Sequence, residues 1–340
     1  KKGAVFKRSG PINWRCRNCY YIHIRDRRPC PLERRQQRMK MPSPKAGAFS
    51  GYRKGRCKLA GGLAIKLLAI DLDYTLLDNE VKVPKRAEEA IRAAVSLGAM
   101  VTLASGRMYK ATLPFAEALD LDVPLITYNG ALIKTSRSKE VYHFLPVPLG
   151  LAIEVLRYAK EQGLHANVYL DDEIYVDEMN WRVREYAERA KVTPFLVEDL
   201  LEFVDREPTK LLLLVDEEVI DSHVEALGKR FFGRLRVSKS MPTYIELTNW
   251  GASKGQALSV LAGRLGIRRE EVMAIGDSGN DMDMLEYAGL GVAVANAYDF
   301  VKARADFVTA GEDGEGVAEA IEAFILRRCR TSAYGCVETW

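Results

Sequence analysis

The feature that most constrains this chain is a rhythm. From Gly62 onward, short apolar runs alternate with amphipathic ones. "LAIKLLAIDLD" predicts a buried strand, and "VPKRAEEAIRAAVSLG" an amphipathic helix with Ala90, Ile91, Ala94 and Val95 on its apolar side. "AMVTLAS" predicts a second strand, "YKATLPFAEALDL" a second helix and "PLITYNG" a third strand. Apolar strands that each lead into a helix belong to a parallel sheet covered on both faces. The rhythm resumes late in the chain with "SKGQALSVLAGRLGI", "EEVMAIGDSGND", "MDMLEYAG", "LGVAVAN", "YDFVKARA", "DFVT" and "GVAEAIEAFILRR".

The middle differs. "KEVYHFLPV", "HANVYLDDEIYVDE", "PTKLLLLVDE", "LRVSKS" and "TYIELTN" predict strands of mixed character, with helices over 148–162, 179–190 and 217–231. In "NVYLDDEIYV" a polar turn separates two β-rich runs, a hairpin signal. The expected fold class is α/β: a doubly wound, Rossmann-like parallel-sheet core over 62–146 and 248–328, with an inserted α+β module over 147–247. In such sheets ligands sit at the carboxyl ends of the strands.

Charge divides the chain. Residues 1–60 carry 18 Lys/Arg against Asp26 and Glu33 alone, a formal +16, while the rest carries 32 basic and 44 acidic residues, a formal −12. The basic piece, 1–61, has little apolar periodicity and reads as a disordered extension or a start-site artefact. It holds Cys16, Cys19, Cys30 and Cys57, and His23 and Cys30 fit a zinc ribbon poorly. Nucleic-acid binding by its Arg/Lys density with Trp14, Tyr20 and Tyr21 is the alternative from another functional class, and a disfavoured one. Cys329 and Cys336 lie in a C-terminal tail, 329–340, and no cysteine falls between residues 61 and 328. A disulfide framework would not leave that span empty, so a reducing, cytoplasmic setting is expected. No apolar run approaches the ~20 residues of a membrane helix.

Chemistry concentrates at the expected strand ends. Asp71 and Asp73 close the first strand; alternation along an extended chain would put them on one face, about 6.5 Å apart. Two carboxylates so placed suit Mg²⁺ with phosphate oxygens. "AIGDSGND" repeats the device with Asp277, Asn280 and Asp281. Ser105 and nearby backbone amides could bind a phosphate, and Lys254 could supply positive charge to the same anion.

With these stretches in view the chain resembles the haloacid dehalogenase-like hydrolases, and within them the Cof-type phosphatases, whose α/β cap is inserted into the core. The resemblance rests on "DLDYTLLD", "TLASGR", "PLITYNGALI", "SKGQALSVLAGRLGI", "AIGDSGNDMDML" and "GVAVANA", and spans roughly Ile65 to Leu326. It implies a Mg²⁺-dependent phosphatase with Asp71 as nucleophile and Asp73 as acid and base. It also implies Mg²⁺ held by Asp71, the Asp73 carbonyl and Asp277 with Asp281, and phosphate held by Ser105 and Lys254. Thr75, Gly106 and Asn280 complete the expected substrate contacts. The expected substrate is a small phosphorylated metabolite, sugar phosphates first, with no membrane partner. A phosphohexomutase or a specialised sugar-phosphate phosphatase of the same superfamily is the alternative. Tyr74 departs from the family pattern, which often has glycine there. The motifs fix neither the substrate nor the oligomeric state.

Overall fold

The computed structural model describes residues 65–327. The basic segment with its four cysteines, the tail from residue 329, and the zinc and nucleic-acid readings all lie outside the described residues. Among those residues no helix is long and apolar enough to cross a membrane.

The described residues open with β1 (Leu67–Ile70), α1 (Lys85–Ser96), β2 (Met100–Leu103), α2 (Tyr109–Ala118), β3 (Pro124–Thr127), β4 (Leu132–Thr135) and β5 (Val141–Phe144). Every residue of β1 is buried, as a central strand covered on both faces requires. α1 turns Ala87, Ala90, Ile91 and Ala94 inward. Val95, expected beside them, is half-exposed, because a stripe through 87, 90, 91 and 94 leaves position 95 at its edge.

"PLITYNG" departs from the expected third core strand. β3 meets the end of β2 through one parallel bridge, Ala104 to Ile126, and then pairs antiparallel with β4. Tyr128, Asn129 and Gly130 all have positive φ, 53°, 54° and 95°, and this reverses the chain. β5, grouped by sequence with the strands of the middle, pairs antiparallel with β4 instead.

The inserted segment comprises α3 (Leu149–Gln162), β6 (His165–Leu170), β7 (Glu173–Val176), α4 (Trp181–Ala190), β8 (Phe195–Leu196), α5 (Leu200–Phe203), β9 (Lys210–Leu214), α6 (Ile220–Arg230), β10 (Leu235–Met241) and β11 (Tyr244–Asn249). Its sheet runs β10-β11-β9-β6-β7-β8. The β6–β7 hairpin turns on Asp171 and Asp172, both at positive φ (51° and 63°), as a two-residue turn matched to strand twist requires. On one sheet face Val168, Leu170, Leu211 and Leu213 pack with residues of α3 and α6 in a core of their own. On the other, Tyr169, Leu212 and Leu214 join the main core. The chain enters and leaves this segment side by side: Asn249 Nδ2 donates to the Pro146 carbonyl at 2.8 Å.

The remainder is α7 (Lys254–Arg264), β12 (Val272–Gly276), α8 (Met282–Tyr287), β13 (Leu290–Ala293), α9 (Asp299–Lys302), β14 (Phe307–Val308) and α10 (Asp313–Ile321). The main sheet is parallel throughout, in the order β14-β13-β12-β1-β2. β1 and β12, distant in sequence, are therefore neighbours, and the residues following them emerge together at the carboxyl edge.

Candidate active site

β1 stops at Ile70, so Asp71 and Asp73 do not share one extended strand. The chain coils instead, the Leu72 carbonyl accepting from the Leu76 and Leu77 amides at 3.0 and 2.9 Å. The coil buries Leu72, Leu76 and Leu77, and that apolar burial overrides strand alternation. It also separates the two acids. Asp71 is buried, whereas the Asp73 side chain is 44% exposed and turned to Arg107. Tyr74 sits at φ 61°, a left-handed conformation that glycine adopts without the steric cost a side chain incurs.

Lys254, the first residue of α7, is fully buried between two acids: Nζ lies 2.5 Å from Asp71 Oδ1 and 2.6 Å from Asp281 Oδ1. The other Asp281 oxygen accepts from the Asp277 and Ser278 amides at 3.1 and 3.0 Å and so shapes the loop after β12. Gly276 permits this, since a Cβ there would lie 2.5 Å from Asp281 Cβ. Thr75, expected against substrate, donates its hydroxyl to Asp277 Oδ1 at 3.1 Å. Asp71 Oδ2 and Asp277 Oδ2 accept no hydrogen bond from the described residues.

Asp71, Asp277 and Asp281 are all buried, and each offers an oxygen within 4.8 Å of the others. Burial, then the Asp281 charge, pushes the Asp71 carboxyl up to about 7, and Lys254 offsets this only in part. Burial and the Asp281 and Asp71 charges hold Asp277 well above the ordinary carboxylate range. Burial pulls the Lys254 ammonium down, but Asp281 and Asp71 outweigh it and the net shift is upward. Three carboxylates around one ammonium leave two uncompensated negative charges when ionised. Such a donor set, with two open oxygens, fits a hard divalent cation.

Ser105 is buried, and its Oγ accepts from the Arg107 amide at 3.0 Å. The helix that follows is capped at Met108, so Ser105 is not its cap. The Gly106 amide finds no acceptor among the described residues. Asn280 Nδ2 donates to Asn129 Oδ1 at 3.1 Å, which ties the loop after β12 to the turn after β3.

Residues outside the expected site set complete it. The Arg107 guanidinium grips both Asp73 oxygens, Nη2 to Oδ1 at 2.6 Å and Nε to Oδ2 at 2.9 Å. Asn129, Lys210 and Glu246 meet where the inserted sheet faces the core. In the β6–β7 hairpin, Tyr169 and Asp172 face the core, the latter accepting from Tyr128 at 2.7 Å. Asp171 pairs with Arg206 instead, and Tyr175 packs on Phe195 and Phe203. Of Arg107, Asn129, Lys210 and Glu246, only the first two lie in stretches that carry the family resemblance, "TLASGR" and "PLITYNGALI", because strand register decides which cap residues turn inward.

A split parallel sheet with acids at two adjacent strand ends, a buried lysine and an inserted cap defines a class of hydrolase. A family model described as haloacid dehalogenase-like hydrolase matches residues 68–321. A 5-amino-6-(5-phospho-D-ribitylamino)uracil phosphatase of Bacillus subtilis is 34% identical over 267 residues, covering 77% of this chain and 96% of its own. A pyridoxal phosphate phosphatase of Escherichia coli is 30% identical over 278 residues, covering 78% and 100%. A solved structure from Thermotoga maritima matches with a TM-score of 0.69 at 33% identity, over 76% of this chain and 97% of that one. The chain belongs to the haloacid dehalogenase-like hydrolases, in their Cof-type phosphatase branch, and is a phosphoric monoester hydrolase.

Proposed function

We propose that the protein is a Mg²⁺-dependent phosphatase of small phosphomonoesters, polyol and sugar phosphates above all, working through an aspartyl-phosphate at Asp71. The observation that carries this reading is the buried Asp71, held by Lys254 opposite Asp277, with a second and more accessible acid two residues on. The core is taken as 62–146 and 248–328 and the cap as 147–247, in a cytoplasmic enzyme.

Asp71 attacks phosphorus while the bond to the leaving oxygen breaks, and Asp73 delivers a proton to that oxygen. Water then attacks the aspartyl-phosphate, Asp73 takes its proton, and Asp71 leaves as carboxylate. Arg107 holds both Asp73 oxygens as an ion pair, which opens for Asp73 to carry its proton to the leaving oxygen. Lys254 holds the nucleophile and supplies positive charge beside the transferred group. The Ser105 hydroxyl and the Gly106 amide are the remaining donors for phosphoryl oxygens, with Asn280 at the rim. Mg²⁺, held by Asp71, the Asp73 carbonyl and Asp277 with Asp281 beside them, would screen the phosphate charge from the carboxylates when bound.

The ribityl phosphate in the name of the Bacillus subtilis relative supports a polyol phosphate as substrate. The test is release of inorganic phosphate from a panel of sugar, polyol and aromatic phosphates, with Mg²⁺ and with chelator. Release that depends on Mg²⁺ is the expected result. An isomerised sugar phosphate without free phosphate would overturn the hydrolase in favour of a mutase.

A further inference from the structure

The cap sheet carries a charged pair on its core-facing side, where charge is costly. β9 consists of one lysine and four leucines, all buried. Strand alternation puts Lys210, Leu212 and Leu214 on the face toward the core, and Glu246 of β11 lies opposite Leu212 on that face. Lys210 Nζ is 3.2 Å from Glu246 Oε1, with side chains 3% and 12% exposed. The ammonium sits 4.7 Å from the centre of the Tyr169 ring and 5.8 Å from that of Tyr128.

Stability does not account for this pair. Apolar residues of similar volume usually serve a core as well as a buried ion pair, or better. The phosphoryl transfer above uses neither group. Both are nonetheless directed at the catalytic edge. Lys210 Nζ makes a long 3.4 Å contact to the carbonyl of Gly106, the neighbour of Ser105. Glu246 Oε2 accepts from Asn129 Nδ2 at 3.2 Å, and Asn129 in turn holds Asn280.

We infer that Lys210 and Glu246 are the residues by which the cap reads the leaving group, taking two neighbouring hydroxyls of a polyol. Glu246 accepts from one hydroxyl and Lys210 donates to the next, with the Tyr128 and Tyr169 rings bordering them. The inference rests on the phosphatase reading and deepens it by naming the groups that select the substrate. Because the pair is neutral overall, it matches a neutral, hydroxylated leaving group. A second phosphate would meet the Glu246 carboxylate. A leaving group without hydroxyls gains nothing from either residue.

The experiment compares kcat/KM for ribitol 5-phosphate and p-nitrophenyl phosphate in the full chain with Mg²⁺, for wild type, Glu246→Gln and Lys210→Gln. The reading is the ratio of the two constants. Wild type is expected to favour ribitol 5-phosphate, and each substitution to lower the ratio by about 10- to 100-fold, the effect of losing a hydrogen bond to a charged group. Should a single variant fail to fold, the double variant Lys210→Gln/Glu246→Gln leaves no unpaired charge and is expected to lower the ratio likewise. A ratio that stays within threefold of wild type overturns the inference, since a pair that only pins the cap would change both substrates alike. A wild type that turns over both esters with no preference overturns it too and leaves the phosphatase reading standing. A wild type that turns over neither ester overturns that reading as well.

Discussion

At the scale of the residue, Asp71 shows why this site calls for a cation. Its carboxyl rises from an ordinary 3.8 to about 7, burial being the main cause and Asp281 the next. Between those values the fold keeps a proton that the unfolded chain releases. The contribution to the stability of the metal-free protein is therefore full below about 3.8 and is lost as pH rises through about 7. Mg²⁺ bound at these acids would compete with that proton, so its stabilising effect would grow as pH rises. Thermal unfolding with saturating Mg²⁺ should show a larger rise in Tm at pH 8 than at pH 5, with about 5 °C or more at pH 8. Equal shifts at the two pH values would contradict this electrostatic account. The acids themselves were legible in "DLDYT" and "GDSGND". Their separation into a buried and a half-exposed member was not, because it follows from the coil that buries Leu72, Leu76 and Leu77.

At the scale of the element, strand ends and tight turns aim the site. The turn after β3 places Asn129 between the cap and the loop after β12, and it depends on Gly130. That residue has φ 95°, and a Cβ on it would lie 2.1 Å from the Ser253 carbonyl oxygen, next to Lys254. Gly130→Ala should cost roughly 2–4 kcal/mol of stability, read by urea unfolding, from strain and backbone displacement together. It should also lower turnover by displacing Lys254. A variant of wild-type stability would mean that the α7 terminus is free to move. The βα alternation was readable because buried parallel strands are continuously apolar and their helices amphipathic. β4 was missed because it follows β3 after only the four residues 128–131 and its apolar run "ALI" reads as a continuation of the motif. The cap hairpin was readable because its turn carries two aspartates that tolerate positive φ.

At the scale of the whole molecule, the site is closed between core and cap by polar contacts: Tyr128 to Asp172, Asn129 to Glu246 and Lys210 to the Gly106 carbonyl. All of these groups, and Asp71, Asp73, Asp277 and Asp281, lie after residue 62, in the part of the chain with a formal charge of −12. A chain running from Gly62 to Arg328 should therefore keep phosphatase activity within about twofold of the full chain, a change of less than ~0.5 kcal/mol in barrier. A tenfold loss in phosphate release would assign the basic segment a part in the site. The composition shift made that division visible in sequence. Which cap residues face the core was not visible, since it depends on register between strands as far apart as β6, β9 and β11.

The most direct test of the central claim is to follow radiolabelled phosphate from a turned-over ester after rapid acid quenching in the presence of Mg²⁺. The account predicts label retained on the wild-type protein, within the proteolytic peptide that contains Asp71. It predicts no label on Asp71→Asn, with turnover lower by at least about 10³-fold, the scale expected when a nucleophile is removed. Wild-type turnover by Asp71→Asn, or label on a peptide that lacks Asp71, would contradict it.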